Sequence, residues 1–285
     1  MSLKVFYYPV ELTIFNFYYR PSCMFFSLHR KSLVVMGGTS GIGLSAVKAF
    51  VKAGAQVVVV GHPDGPSPKL GKGALVLLAD AREEGTAEHA IDRCVQEFGG
   101  FDGLYHVAGG SGRSRGDGPL HQLTLDGWRY TLDLNLTSMM LSNRAAVNQF
   151  LKQGRGGSIV NLGSVLADDP SPHFFSTHAY AAAKCAVEGF SKATAAAYAN
   201  NNIRINVLAP GLTDTPMAIR ATKDKDIVAF IKSKQPLDGG RIGLPADLDG
   251  LAVFLFSDAA KFITGQIIHV DGGWSVSDGV QMKKK

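Results

Sequence analysis

The stretch SLVVMGGTSGIGLSAVKAFVKAG, residues 32–54, decides how the rest of the chain is read. Its first part, SLVVM, is a short unbroken apolar run, the pattern of a strand buried on both faces. Its last part, IGLSAVKAFVKAG, carries apolar residues at helical spacing and ends on a Gly, a common helix terminus. Between them, Gly37, Gly41 and Gly43 allow a tight turn that brings backbone N–H groups to a helix start, where a diphosphate is favoured. Alone, such a cluster can be a plain turn; between a strand and a helix it points more firmly to phosphate.

The same alternation continues downstream. QVVVVG (56–61), GALVLLAD (73–80), FDGLYHVAGG (101–110), GSIVNLGS (157–164), IRINVLAPG (203–211) and QIIHVDGG (266–273) read as strands. Helices fit residues 85–100, the long run 126–154, the region from Tyr180 to about Asn200, and ADLDGLAVFLFS (246–257). HPDGPSPKLGK (62–72) is too rich in Pro and Gly for a full helix. Repeated strand–helix–strand units with continuous Val/Ile/Leu strands predict an α/β fold, a doubly wound parallel sheet of Rossmann type in a single domain. Ligands in such a sheet bind beyond the carboxyl ends of its strands. The expected division is an N-terminal appendage at 1–30 and a dinucleotide-binding and catalytic domain at 31–285.

The totals agree with one large core. Of 285 residues, 46% are hydrophobic and 19% charged, a globular balance. The net charge of +5 owes much to the terminal Lys283–Lys285, and no basic helix interleaved with aromatics occurs, which argues against nucleic acid. The aromatic-dense start is broken by Pro9, Glu11, Arg20 and Pro21, so no run reaches the roughly 18 residues of a membrane span. It also lacks the clean apolar centre of a signal peptide. Cys23, Cys94 and Cys185 are odd in number and lack metal-ligand spacing, so no metal site is expected. They fit a reducing compartment, and the cytoplasm is the expected location.

HAYAAAKCAVEG, residues 178–189, sets a phenol and an ammonium four positions apart on one helix face. Tyr180 and Lys184 can therefore act as a pair, although a packing Tyr beside a solvated Lys is the plainer account of the two alone. A phenol ionises near pH 10, and a neighbouring ammonium is expected to lower that value.

With that pair, the G-x-x-x-G-x-G spacing resembles the short-chain dehydrogenase/reductase family, over about Leu33 to Gly273. HVAG (106–109) resembles the family's Asn-Asn-Ala-Gly turn, and LNL carries Asn135 at its helix-borne Asn. NLGS ends at Ser164, Tyr180 and Lys184 follow, and PGLTDT (210–215) and TGQIIHVDGG (264–273) complete the set. Departures are Met36 in place of Thr, His106 and Val107 in place of both asparagines, and a short link after the second strand.

The resemblance implies an oxidoreductase that moves a hydride between a nicotinamide cofactor and an alcohol or carbonyl. Tyr180 would exchange a proton with the substrate oxygen, and Ser164 would hydrogen-bond that oxygen. Lys184 would hold the nicotinamide ribose, and Asn135 a water linking Lys184 to solvent. Cofactor contacts are expected from Gly37, Thr39, Ser40, Gly41, Ile42 and Gly43, from Gly61 and His62, and from Asp80, Ala108 and Gly109. Tyr180, Lys184, Pro210, Gly211, Thr213 and Thr215 complete that group. An enoyl reductase of the same family is opposed by the intact Ser164 and Tyr180–Lys184 spacing. A cofactor-binding sensor or scaffold without turnover is opposed by the presence of both Tyr180 and Lys184.

Gly61 stands where a carboxylate would select NAD(H), so NADP(H) is favoured over NAD(H). No Arg follows to attract a 2′-phosphate, and Asp64 lies close by. Gly61→Asp is then expected to shift preference towards NADH. VLADDPSPHFFSTHA (165–179) is long for the family; His173, Phe174, Phe175 and His178 line the pocket in one reading and form a surface flap or subunit contact in another. Arg113 and Arg115 follow the fourth strand, as greeters of an anion or as a solvated loop. Helices apolar on more than one face, together with the resemblance, imply a homodimer or homotetramer.

Overall fold

A computed structural model describes residues 26–280. Strands apolar on both faces must be covered on both, and the chain does this by crossing over through helices. β1 (Ser32–Met36) leads through the glycine turn into α1 (Gly41–Lys52), then β2 (Gln56–Gly61) and β3 (Ala74–Leu78). α2 (Thr86–Phe98) precedes β4 (Gly103–His106), and α3 (Leu125–Leu132) and α4 (Ser138–Gln153) precede β5 (Gly157–Leu162). α5 (His178–Tyr198) leads to β6 (Ile203–Pro210). Then come α6 (Ile219–Lys223), α7 (Lys225–Lys234), α8 (Ala246–Phe256) and β7 (Ile267–Val270).

The strand order is β3-β2-β1-β4-β5-β6-β7, and every pairing is parallel. Order reverses between β1 and β4, so a crevice opens at the carboxyl ends of that pair. Side chains alternate across the sheet as its pleat requires. Val34, Met36, Val58, Val60 and Leu104 face the layer of α2 and α4. Leu33, Val35, Val57, Val59 and Tyr105 face α1 and α8. In α1, Ile42, Ala46, Val47 and Phe50 are buried, the spacing of a single helical stripe.

Three features depart from the sequence reading. The expected helix over 126–154 is interrupted by a π turn, Asp133–Thr137, which contains Asn135; such turns gather at functional sites. The stretch after β6, for which the sequence suggested no element before residue 246, holds α6 and α7. Ala221, Ile227 and Ile231 there join Val165 and Trp274 in a third, smaller core. The appendage expected at 1–30 is packed on the domain where it is described. Leu28 is fully buried and donates its N–H to the Ala53 carbonyl at 2.9 Å, and the Phe26 ring meets Phe254 at 5.0 Å. The rest of that expectation lies outside the described residues. Among the described residues no helix is long and apolar enough to cross a membrane.

Candidate active site

α5 turns a stripe of small residues towards the sheet, and Lys184 and Glu188 lie on that same buried face. Lys184 is 3% exposed; its ammonium donates to the Leu162 carbonyl at 2.8 Å and stands 5.5 Å from the Tyr180 ring centre. Burial pushes the Lys184 ammonium down to about 8. The expected lowering of the phenol by Lys184 does not hold in this structure. Burial pushes Tyr180 above its ordinary value, with the Ser164 hydroxyl alone opposing it, because Lys184 is drawn to Leu162 rather than to the phenol oxygen.

Ser164 follows β5 in extended conformation. Its Oγ accepts from the Leu166 N–H at 3.2 Å, so it caps the turn Val165–Ala167 while also lining a cavity beside Tyr180. Asn135, 1% exposed, sits in the π turn and clamps the chain after β4. It donates to the carbonyls of Gly110 at 2.8 Å and Thr131 at 2.9 Å, and it accepts from the Gly110 N–H at 3.0 Å. A methyl placed on Gly109 would stand 2.7 Å from Asn135 Oδ1 and 3.6 Å from Lys184 Nζ, so these three residues converge at one point. Tyr180, Lys184, Ser164 and Asn135 thus gather at the carboxyl edge of β4 and β5.

Several residues that the sequence reading passed over hold them there. Asp117, 4% exposed, accepts from the N–H groups of Ala179 and Tyr180, each at 3.0 Å, and so caps α5 from more than sixty positions away. Asn161 on β5 and Asn143 on α4 exchange amide hydrogen bonds at 2.9 and 3.0 Å, and Asn161 also donates to Ser191 on α5 at 3.0 Å. A polar residue inside the apolar strand SIVNL was the visible signal for this tie. His106, in place of the family's asparagine, bonds Ser142 at 2.8 Å; burial pushes it down to about 3, so it is neutral.

Two adjoining cavities run along this edge, of about 270 and 440 Å3, sharing Ile42, Leu162, Thr215 and Met217. The smaller is lined by Gly37, Thr39, Ser40, Gly41, Gly61, His62, Asp80, Ala108 and Gly109. The larger holds Ser164, Tyr180, Pro210, Gly211 and Thr213. The shape and the glycine floor at one end fit an extended dinucleotide with its reacting end at Tyr180. Gly43 and Lys184 line neither cavity; a Cβ on Gly43 would lie 2.1 Å from the Gly37 carbonyl oxygen, so its glycine serves close packing of α1 on the turn. Asp80 lines the smaller cavity and is gripped by Arg82, which holds its carboxyl below the usual range.

The larger cavity has an apolar wall of Val165, Leu166, Phe175, Met217 and Trp274. Of the aromatic candidates only Phe175 reaches it, meeting the Trp274 ring at 5.8 Å. Phe174 lies behind on Phe230 at 5.2 Å, and His173 and His178 are exposed and line neither cavity. Arg113 lines the cavity, whereas Arg115 lies over the Tyr130 ring at 5.3 Å.

Comparison with known proteins agrees with this geometry. A family model described as enoyl-(acyl carrier protein) reductase matches residues 37–275. The cis-4-hydroxycyclohexanecarboxylate dehydrogenase of Sinomonas cyclohexanicum is 33% identical over 248 residues, 85% of this chain and 95% of that protein. A short-chain type dehydrogenase/reductase from Mycobacterium ulcerans superposes with a TM-score of 0.79 at 30% identity, covering 88% of this chain and 92% of that one. A putative NAD(P)-dependent gluconate 5-dehydrogenase from Beutenbergia cavernae, solved with NADP at low occupancy, gives 0.76 at 31% identity over 87% and 98% of the two chains. The chain belongs to the short-chain dehydrogenase/reductase family, as an oxidoreductase that transfers a hydride between a nicotinamide cofactor and an alcohol or carbonyl substrate.

Proposed function

We propose that Tyr180, Ser164, Lys184 and Asn135 carry out the proton chemistry of a small-molecule alcohol dehydrogenase or carbonyl reductase. The observation that carries this reading is that Ser164 and Tyr180 open onto one cavity continuous with the glycine-lined groove. The bound nicotinamide supplies or accepts the hydride. Tyr180 gives its proton to a carbonyl oxygen during reduction and takes it from a hydroxyl during oxidation. Ser164 donates to the same oxygen and stabilises the charge that develops there. Lys184, buried and with its ammonium pushed down to about 8, would hold the cofactor ribose and, released from the Leu162 carbonyl, would favour the ionised phenol. Asn135 fixes Gly110 and so the floor beneath Lys184, with the backbone of the π turn available to a bridging water.

Gly61 presents no carboxylate to a 2′-phosphate, and His62 stands beside it at the groove, which supports NADP(H) over NAD(H). Exposed Cys185, Gly189, Ala193 and Ala196 form a stripe of small residues on the outer face of α5, where a second copy can pack closely. This supports a homodimer or homotetramer, and light scattering that reports a stable monomer overturns it. The thiol composition supports a cytoplasmic location.

The deciding assay follows nicotinamide absorbance with NADPH and NADH against a panel of ketones and aldehydes. Turnover should favour NADPH and fall at least about a hundredfold in Tyr180→Phe, with cofactor binding retained. Near-normal activity of that variant sinks the assignment. An enoyl thioester in the same panel tests the activity named by the family model's description; its reduction with no carbonyl reduced would replace the present reading.

A further inference from the structure

The cavity before Ser164 and Tyr180 carries a charge that the proton chemistry does not use. Its wall holds two guanidinium groups, Arg113 and Arg220, and no Asp or Glu. They come from separate parts of the chain, the single helical turn after β4 and α6. Both side chains are exposed at the cavity mouth, within reach of an entering solute. Among the described residues neither forms an ion pair. Arg220 donates to the Phe174 carbonyl at 3.3 Å, leaving most of its fork unused. Asp117, whose charge acts on Arg113, has one oxygen taken by the Ala179 N–H and the other by the Tyr180 N–H. Nearby arginines are otherwise engaged: Arg82 grips Asp80, and Arg115 lies over Tyr130.

Partial desolvation at the cavity wall and the Arg220 charge both push Arg113 below its ordinary value, so the two cations repel one another at the mouth. An anion seated between them relieves that repulsion, and a planar carboxylate matches a guanidinium fork with two parallel hydrogen bonds. Apart from Ser and Thr hydroxyls, the wall is apolar and aromatic, with Val165, Leu166, Phe175, Met217 and Trp274 forming a face that suits a hydrocarbon body. We propose that the substrate is a small hydroxy acid or keto acid with an apolar body, its carboxylate held by Arg113 and Arg220 and its reacting carbon turned to Ser164 and Tyr180.

This deepens the function proposed above and rests on it. In oxidation a hydride passes from the carbinol carbon to the oxidised nicotinamide. The hydroxyl proton passes to Tyr180 and on to solvent, leaving a C=O bond, and the carboxylate takes no part in the electron balance.

The test compares each acid with its methyl ester, using 4-acetylbenzoate and levulinate, in the wild type, Arg113→Gln and Arg220→Gln. The acid-to-ester ratio of kcat/KM should exceed tenfold in the wild type and fall about tenfold in either variant, chiefly through KM. In parallel, NADPH-loaded protein is titrated calorimetrically with benzoate and with benzamide, which needs no turnover. Benzoate should bind at least tenfold more tightly, and either substitution should abolish the difference. Esters that match the acids, a ratio unmoved by both substitutions, or equal binding of benzoate and benzamide each overturn the inference. Reduction of neutral ketones with the acids refused overturns it while the dehydrogenase reading stands. Arginine-dependent benzoate binding with no carbonyl reduced supports the anion site and overturns the dehydrogenase reading instead.

Discussion

Asp117 offers the most direct test of how the site is held. Thr177, the residue before α5, makes no side-chain capping bond, and Asp117 supplies both acceptors to the first turn instead. The carboxylate is 4% exposed, so water does not replace it easily. Hydrogen bonds to a charged group are worth about 1.5–3 kcal/mol each, and a buried N–H left without a partner costs about 1–3 kcal/mol. Because the two bonds share one acceptor group, we expect Asp117→Ala to cost about 3–4 kcal/mol rather than the sum. For a domain of this size that is a fall in Tm of roughly 6–16 °C. Asp117→Asn keeps one acceptor oxygen and should lose about 1–2 kcal/mol, or roughly 2–8 °C. One of the two N–H groups belongs to Tyr180, so fraying of this turn displaces the phenol. Assayed well below its melting point with saturating cofactor, Asp117→Ala should lose at least about tenfold in kcat. Calorimetry and steady-state kinetics read the two effects separately. An alanine variant that melts within about 1 °C of wild type and keeps its kcat refutes the capping argument.

Three further outcomes follow. Gly61→Asp, the change that the sequence suggests for an NADH switch, would place a Cβ 2.3 Å from the buried Thr39 side chain. We therefore expect the single variant to bind both nucleotides poorly, with NADH preference emerging only when Thr39→Gly is added. Fluorescence titration checks this, and a clean switch by Gly61→Asp alone counts against it. His106 is held neutral down to about 3 in the fold, against 6.5 ordinarily, so the unfolded chain binds the extra proton between those values. Stability from this group is therefore full above pH 6.5 and lost as pH falls towards 3, by at most about 5 kcal/mol. Glu188, pushed up to about 7 by burial, works in the opposite sense, so the comparison is between wild type and His106→Asn, whose melting should fall less steeply with acid. Parallel pH curves for the two proteins refute it. A chain begun at Met24 should fold, bind cofactor and melt with the full protein, whereas Leu28→Ala in either length should cost about 2–5 kcal/mol. A large fall on truncation alone shows that residues 1–23 belong to the fold.

How much of this was legible beforehand depends on the reach of each interaction. The strands, most helices and the glycine turn follow from apolar period and turn chemistry, which act over a few neighbouring residues. The Tyr180–Lys184 pair is equally local, one turn of one helix, and Ser164 and Asn135 were legible through motifs in a fixed order. These were determined by the sequence itself. The cap on α5 was not, because Asp117 and Ala179 are brought together only by the path from β4 to α5. The same holds for the tie of Asn143, Asn161 and Ser191 across three elements. The direction of the Tyr180 shift also needed the fold, since burial outweighs a neighbouring charge once Lys184 has found the Leu162 carbonyl. Arg113 and Arg115 are indistinguishable in the string GGSGRSRGDG. Only the tertiary structure turns one onto Tyr130 and brings the other to a cavity with Arg220, because which face of a turn meets which wall is set by distant packing and not by neighbours in the chain.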